Sequence, residues 1–227
     1  MLMRSSRGLA MLAFRSRLVQ IAGWAFIAAS LVQLAVTAYI MFRPPPPIIV
    51  TAGGGSPEPN WMVFLPGIVG LVWLASAMFL SISLLIWIYR AHSNLSEQGV
   101  EMDYGAGWAV GSYFIPFVNL VVPFRAMREL HNRSQGEIPE HAHSGVEDVA
   151  AWWTAYLVAI AVQTALIFKL FVNVFTNLIL YTPVWMEFAM GGFATLLLAG
   201  ATFLLLKLVR SITAAQSDSM HVGATFE

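Results

Sequence analysis

Long apolar runs set off by short polar breaks dominate this chain. The three longest cover 18–42, 61–88 and 188–209. Each has the roughly 20 residues that a helix needs to cross a hydrocarbon core. A fourth run, 149–172, is apolar apart from Gln163 and Lys169. Four such helices predict an all-α membrane protein: a four-helix transmembrane bundle forming one domain over 18–216. A cytoplasmic arm, 1–17, would precede it, and a cytoplasmic tail, 217–227, would follow.

A fifth apolar stretch, 108–122, behaves differently. At about 15 residues it would rise roughly 22 Å as a helix, short of a ~30 Å core. Gly111, Pro116 and Asn119 interrupt it. Pro116 cannot donate to the carbonyl of Ser112, so a helix must kink or break there. Backbone freed at membrane depth is tolerated only against protein or water. The stretch is therefore read as an interfacial or re-entrant segment on the cytoplasmic side, with Trp108, Tyr113, Phe114 and Phe117 suited to the headgroup boundary.

Charge supports four crossings rather than five. Lysine and arginine near membrane ends concentrate on the cytoplasmic side. With 108–122 not crossing, Arg4, Arg7, Arg15, Arg17, Arg90, Arg125, Arg128, Arg133, Lys207 and Arg210 share one side, against Arg43 and Lys169. With a fifth crossing the same residues divide six to six and the bias vanishes. Both termini are accordingly expected in the cytoplasm. The first apolar run is 25 residues long, too long for a signal-peptide core, and lacks a convincing small-residue cleavage site. It reads as an uncleaved first helix. The external loop 43–60 holds Pro44, Pro45, Pro46 and Pro47 and a glycine hinge at Gly53, Gly54 and Gly55, the composition of a spacer.

Composition adds exclusions. Only 11% of residues are charged, against roughly a quarter in soluble domains, and 58% are hydrophobic. With no cysteine there is neither a disulfide nor a thiolate metal site. A net charge of zero and the lack of a basic stripe speak against nucleic acid as a partner. No nucleophile elbow, phosphate loop or dinucleotide fingerprint occurs, so no catalytic residue and no cofactor is assigned.

Polar groups concentrate in 89–148, where eight acidic residues face four arginines. The second span is expected to continue past Arg90 to about Leu95 and turn near Gly99. A short amphipathic helix should then run from Pro123, which fits a first turn, to His131. Phe124, Met127, Leu130 and His131 would share one face, and Arg125, Arg128, Glu129 and Asn132 largely the other. The candidate ligand-binding set is Arg90, Asn94, Trp108, Asn119, Arg125, Arg128 and Glu129. Arginine favours carboxylate and phosphate, so a pocket for an anionic headgroup or metabolite is one reading. The plainer one is that these groups snorkel, cap and pair. An Arg90–Glu129 ion pair is expected, with Asn94 and Asn119 satisfying broken backbone.

Several runs in this region resemble the DUF4328 family of bacterial membrane proteins. They are Trp87-Ile88-Tyr89-Arg90-Ala91 with Asn94-Leu95, Trp108-Ala109-Val110-Gly111, and Phe114-Ile115-Pro116 with Asn119-Leu120. Pro123 followed by Met127-Arg128-Glu129-Leu130, then Trp152-Trp153, continue the likeness, and Val209-Arg210-Ser211-Ile212-Thr213 with Gln216 is similar to the family's ending. Gly105-Ala106-Gly107 stands where a proline is expected. The resemblance, from the second span to near residue 216, implies a multi-span fold in a bacterial inner membrane. It brings no catalytic residues with it.

Elsewhere, Glu140-His141-Ala142-His143 with Glu147 and Asp148 has ligand types suited to zinc, but no HExxH helix, and reads as a polar loop. No metal is assigned. Ser144 and Glu147 have capping-box spacing for the third span. Lys169 and Glu187, near the outer ends of two spans, are able to pair, and Gln163 sits deeper, suited to bonding another helix. Together these features suggest a binding or assembly module whose cytoplasmic polar cluster meets a lipid headgroup or a protein. The partners are membrane lipids and either a second copy or another membrane protein. The alternative is a small transporter or channel subunit with 108–122 as a re-entrant element.

Overall fold

In lipid every backbone N–H and C=O must find a partner within the chain, which favours helices for apolar runs of this length. A computed structural model describes residues 2–43 and 61–225. The proline and glycine spacer reading falls on 44–60, outside the described residues. Four long helices, α1 (Leu2–Phe42), α2 (Trp61–Glu97), α5 (Glu147–Phe175) and α6 (Val184–Thr225), carry the apolar runs. All four are long and apolar enough to cross a membrane. Two short helices, α3 (Ala106–Gly111) and α4 (Val122–Ser134), lie between α2 and α5, and no strand occurs among the described residues. The protein is an all-α membrane protein.

Packing runs in the order α2, α1, α6, α5: α1 meets α2 and α6, and α5 meets α6. Helices α1 and α6 are antiparallel. Gln20 Nε2 donates to the Leu206 carbonyl at 2.8 Å, and further along the pair Gly192 comes against Leu34. Gly23 gives this crossing its closeness, since a Cβ there would stand 2.5 Å from Leu206 Cδ2. In its most apolar stretch α6 is 44% buried, against 11%, 17% and 11% for α1, α2 and α5, which makes it the central helix. Ile68, Leu71, Phe168, Leu170 and Phe203 are exposed, as expected where hydrocarbon is the solvent. Pro66 lies within the first two turns of α2.

The segment after α2 is built from breaks. Helix α2 ends at Glu97 and the chain reverses at Gly99, whose φ of +80° suits glycine. Helix α3 passes into a 3-10 turn, Ser112–Phe114, and Ile115 is extended. The expected break at Pro116 is present. Phe117 follows with a φ of 64°, a left-handed conformation costly for a bulky side chain. A second 3-10 turn, Val118–Leu120, leads into α4, with Pro123 in its first turn.

Two local expectations are corrected. Helix α5 is not capped by a Ser144–Glu147 box: its N-cap is Val146, without a side-chain cap bond. The Ser144 carbonyl instead accepts from Asn132 Nδ2 at 3.0 Å. The faces of α4 also differ from the expected division. Glu129 and Asn132 are buried with Ala126, Met127 and Leu130, while Arg125 is exposed. The buried polar pair is accommodated because each holds a neighbouring loop by hydrogen bonds.

Candidate functional site

The end of the bundle that carries α3 and α4 concentrates buried polar contacts. Arg90, two turns before the end of α2, makes two bonds to the Glu97 carboxylate, at 3.0 and 3.1 Å. Positions seven apart share a helix face, and the paired geometry matches a guanidinium to a carboxylate. The Arg90 side chain is 16% exposed because α1 lies over it. A Cβ at Gly8 would stand 2.2 Å from Arg90 Nη2 and 3.0 Å from Asn94 Oδ1. Glycine thus admits both side chains beneath α1.

Asn94 turns the other way as well. Its Nδ2 lies 3.5 Å from Gln216 Oε1, and Gln216 Nε2 donates to the Ala91 carbonyl at 3.2 Å and to Ser134 Oγ at 3.0 Å. This fully buried amide joins α2, α4 and α6. Nearby, the Trp87 indole donates to Thr213 Oγ1 at 3.2 Å.

Glu129 is almost fully enclosed. Its carboxylate accepts the backbone N–H of Asp103 and, at 3.1 Å, that of Tyr104, fixing the link between α2 and α3. Burial raises its pKa, and the two amides oppose that shift. The Asp103 carboxylate meets His143 Nε2 at 2.8 Å, and the His143 ring stands edge-on to Tyr104. Asn132 Nδ2 lies within 3.3, 3.1 and 3.0 Å of the carbonyls of His141, Ala142 and Ser144, which gathers the 139–144 turn onto α4. Among the described residues no group of three histidines, aspartates or glutamates is arranged to hold a metal.

The seven candidate residues therefore separate. Arg90 and Asn94 meet at Gly8, but Arg90 pairs with Glu97 and not with Glu129, because the 103–104 backbone takes the Glu129 carboxylate. Asn94 bonds a side chain on α6 rather than broken backbone, and Asn119 donates its own backbone N–H to the Ile115 carbonyl at 2.9 Å. Trp108, Arg125 and Arg128 stay on the rim. Trp108 and Arg125 are exposed, and the Arg128 guanidinium lies 5.2 Å from the Phe124 ring centre, a cation–π contact. Three residues that organise the module, Asn132, Ser134 and, beyond its place in the family ending, Gln216, went unremarked as functional, and so did the fully buried His92. For His92 a signal exists, since Ile88, Ala91, His92 and Leu95 form one buried stripe at helical spacing.

Helices α2 and α5 are not packed on one another, being separated by the α1/α6 pair. Between them lies a cleft of about 330 Å³, lined by Trp73, Leu80, Phe114, Trp152, Trp153 and Tyr156 among others. The broken segment contributes its Tyr113–Phe114 turn to this cleft, and the Trp153 indole holds that segment by donating to the Leu120 carbonyl at 3.0 Å. The volume is at the low end of the ~300–1,000 Å³ range of ligand pockets. Its aromatic and aliphatic lining suits an apolar guest. Around it the broken segment presents Phe114 at 72% and Phe117 at 84% exposure, with Leu120 and Val121 also exposed.

The model of a family described as a domain of unknown function, DUF4328, matches residues 60–214, from just before α2 to near the end of α6. No curated protein and no solved structure matches the chain.

Proposed function

We propose that this chain, which belongs to the DUF4328 family, is a membrane-embedded binding module for an anionic amphiphile. Its acyl chain occupies the cleft between α2 and α5, and its headgroup meets Arg125 and Arg128 on α4. The observation that carries this reading is the cleft itself: the four helices long enough to span a membrane leave α2 and α5 apart, and aromatic side chains line the gap between them. The two arginines are three residues apart, so they share one side of α4. That helix begins two residues after Leu120, which Trp153 ties to the cleft. Arg90, Asn94 and Glu129 serve as the frame of the module, being engaged with Glu97, Gln216 and the 103–104 backbone. Trp108 and Asn119 belong to its rim.

The broken segment then lies in the headgroup layer, its exposed Phe114 and Phe117 directed at lipid. Gly8 of α1 and Gln216 of α6 lie at the same end of the bundle as this segment, against Arg90 and Ser134. The ten-to-two distribution of basic residues supports a reading in which that end faces the cytoplasm of a bacterial inner membrane.

The test is lipid retention. The protein is purified in mild detergent, and co-purifying lipid is quantified by mass spectrometry. Ser81→Trp, which fills the cleft from α2, is expected to lower total retained lipid. Arg125→Gln with Arg128→Gln is expected to remove the preference for anionic headgroups while leaving the amount of chain unchanged. Unaltered retention in both variants overturns the reading.

A further inference from the structure

A second cavity, of about 270 Å³, lies in the half of the bundle away from α3 and α4. It draws on all four long helices: Gln33 and Thr37 from α1, Trp73 from α2, Gln163 from α5, and Glu187 and Thr195 from α6. Gly191 and Gly192 lie on the α6 side of its lining. Its polar groups converge from four separate stretches of sequence upon the interior of a bundle whose outer faces are apolar.

The hydrogen bonds within this lining are unevenly met. Glu187 is neutralised by the Lys169 ammonium and also accepts from Thr182. Thr37 and Thr195 donate to carbonyls of their own helices, those of Gln33 and Gly191, and so keep oxygen lone pairs available. Gln33 Oε1 is buried without a hydrogen-bond partner. A buried amide oxygen in this position calls for a donor. The lining is thus rich in acceptors and carries no uncompensated charge. A bare ion would lose its hydration with no opposite charge to meet it. A neutral donor faces no such obstacle.

We infer that this cavity is a hydrated vestibule, holding water that donates to Gln33, Glu187 and the threonine oxygens. Trp73 closes it on the inner side. The Trp73 indole is fixed by a 3.0 Å bond to Ser30 Oγ on α1, and its ring lines both this cavity and the aromatic cleft. The bundle therefore has two compartments of opposite character: a wet one beside Glu187 and a dry one beside Trp153. One aromatic side chain stands between them.

The absence of native cysteine makes the test direct. Single cysteines at Thr195 and Gln163 are compared with Phe193→Cys and Leu196→Cys, two exposed apolar positions on α6. Leu80→Cys reports on the cleft beyond Trp73. A charged, impermeant thiol reagent is added to either face of sealed vesicles. Thiolate forms in water and not in hydrocarbon, so the two vestibule positions should react about tenfold or more faster than the apolar controls, from one face only. Leu80→Cys should react no faster than those controls. Thr195→Cys and Gln163→Cys rates equal to the controls overturn the vestibule. Leu80→Cys reacting as fast as Thr195→Cys overturns Trp73 as the partition and gives a continuous water path. A lipid-retention experiment reads none of these rates, so the vestibule and the amphiphile site fail separately.

Discussion

Glu129 holds the backbone amide of Tyr104 at 3.1 Å across 25 residues of sequence, and the amide of Asp103 beside it. One carboxylate thus sets the path between α2 and α3. Replacing it by alanine leaves both amides unpaired in a partly buried place. The cost of an unsatisfied buried group is about 1–3 kcal/mol, and Glu129→Ala is expected to lower thermal stability in detergent by an amount in that range. Glu129→Gln keeps one acceptor and should lose less.

The same residue predicts a pH dependence. Burial raises the Glu129 pKa above its ordinary value of 4.5. The folded protein then binds a proton that the unfolded chain has already released. Stability from this group is fully present below the unfolded value and declines as pH rises through the folded value. Unfolding midpoints measured from pH 4 upward should show this decline in the native chain. In Glu129→Gln the profile should be flatter, and an unchanged slope would show that other groups set it.

Asn132 is the anchor of the 139–144 turn, which otherwise has little apolar surface to bury. Asn132→Ala removes the donor shared by three carbonyls and leaves α4 itself intact. The expected loss is about 1–3 kcal/mol, expressed locally. Hydrogen exchange should accelerate over 138–146 and stay unchanged in α5 and α6. Acceleration spread evenly over the bundle would place Asn132 in the core rather than in the turn.

The spans were legible because lipid selects for long unbroken apolarity, a property of composition along the chain. Pro116 and Gly99 were legible because each acts on its own backbone. The partner of Arg90 was not. Glu129 was the expected partner, but the 103–104 backbone, brought in by the α2–α3 turn, takes its carboxylate, and Arg90 pairs with Glu97 on its own helix. The cap of α5 failed for a related reason: Ser144 lies in a turn gathered by Asn132, and Val146 takes the N-cap position. Neither cavity could be read from the sequence, since each is shaped by all four long helices, whose packing order is not encoded in any one run.

Gln216 supplies a third substitution. Its amide joins Ala91, Asn94 and Ser134 with no exposure to solvent. Gln216→Leu preserves bulk and removes the polar partner, leaving Asn94 and Ser134 short of bonds within a low-dielectric site. The expected cost is about 1–3 kcal/mol in unfolding. Coupling to Asn94→Leu should be strong: the double variant is expected to lose less than the sum of the singles, because the buried groups that each single leaves unpaired are removed together. Additive losses would show that the two amides act independently.

The Lys169–Glu187 pair bridges α5 and α6 at the opposite end, with Thr182 accepting from the same ammonium. The lysine is mostly enclosed and the carboxylate more open, at 17% and 40% exposure. Removing only the lysine leaves a carboxylate beside a cavity within an apolar bundle. Removing only the carboxylate leaves the more enclosed charge unpaired. The penalty of an unpaired buried charge exceeds the attraction it forfeits. Each single substitution, Lys169→Met or Glu187→Gln, is therefore expected to lower the unfolding midpoint more than the double variant does. Lys169→Met should be the milder single, because its orphan, Glu187, reaches solvent more readily. The measurement is a double-mutant cycle in detergent. A double variant less stable than both singles would mean that the pair joins α5 to α6 by net attraction rather than by mutual neutralisation.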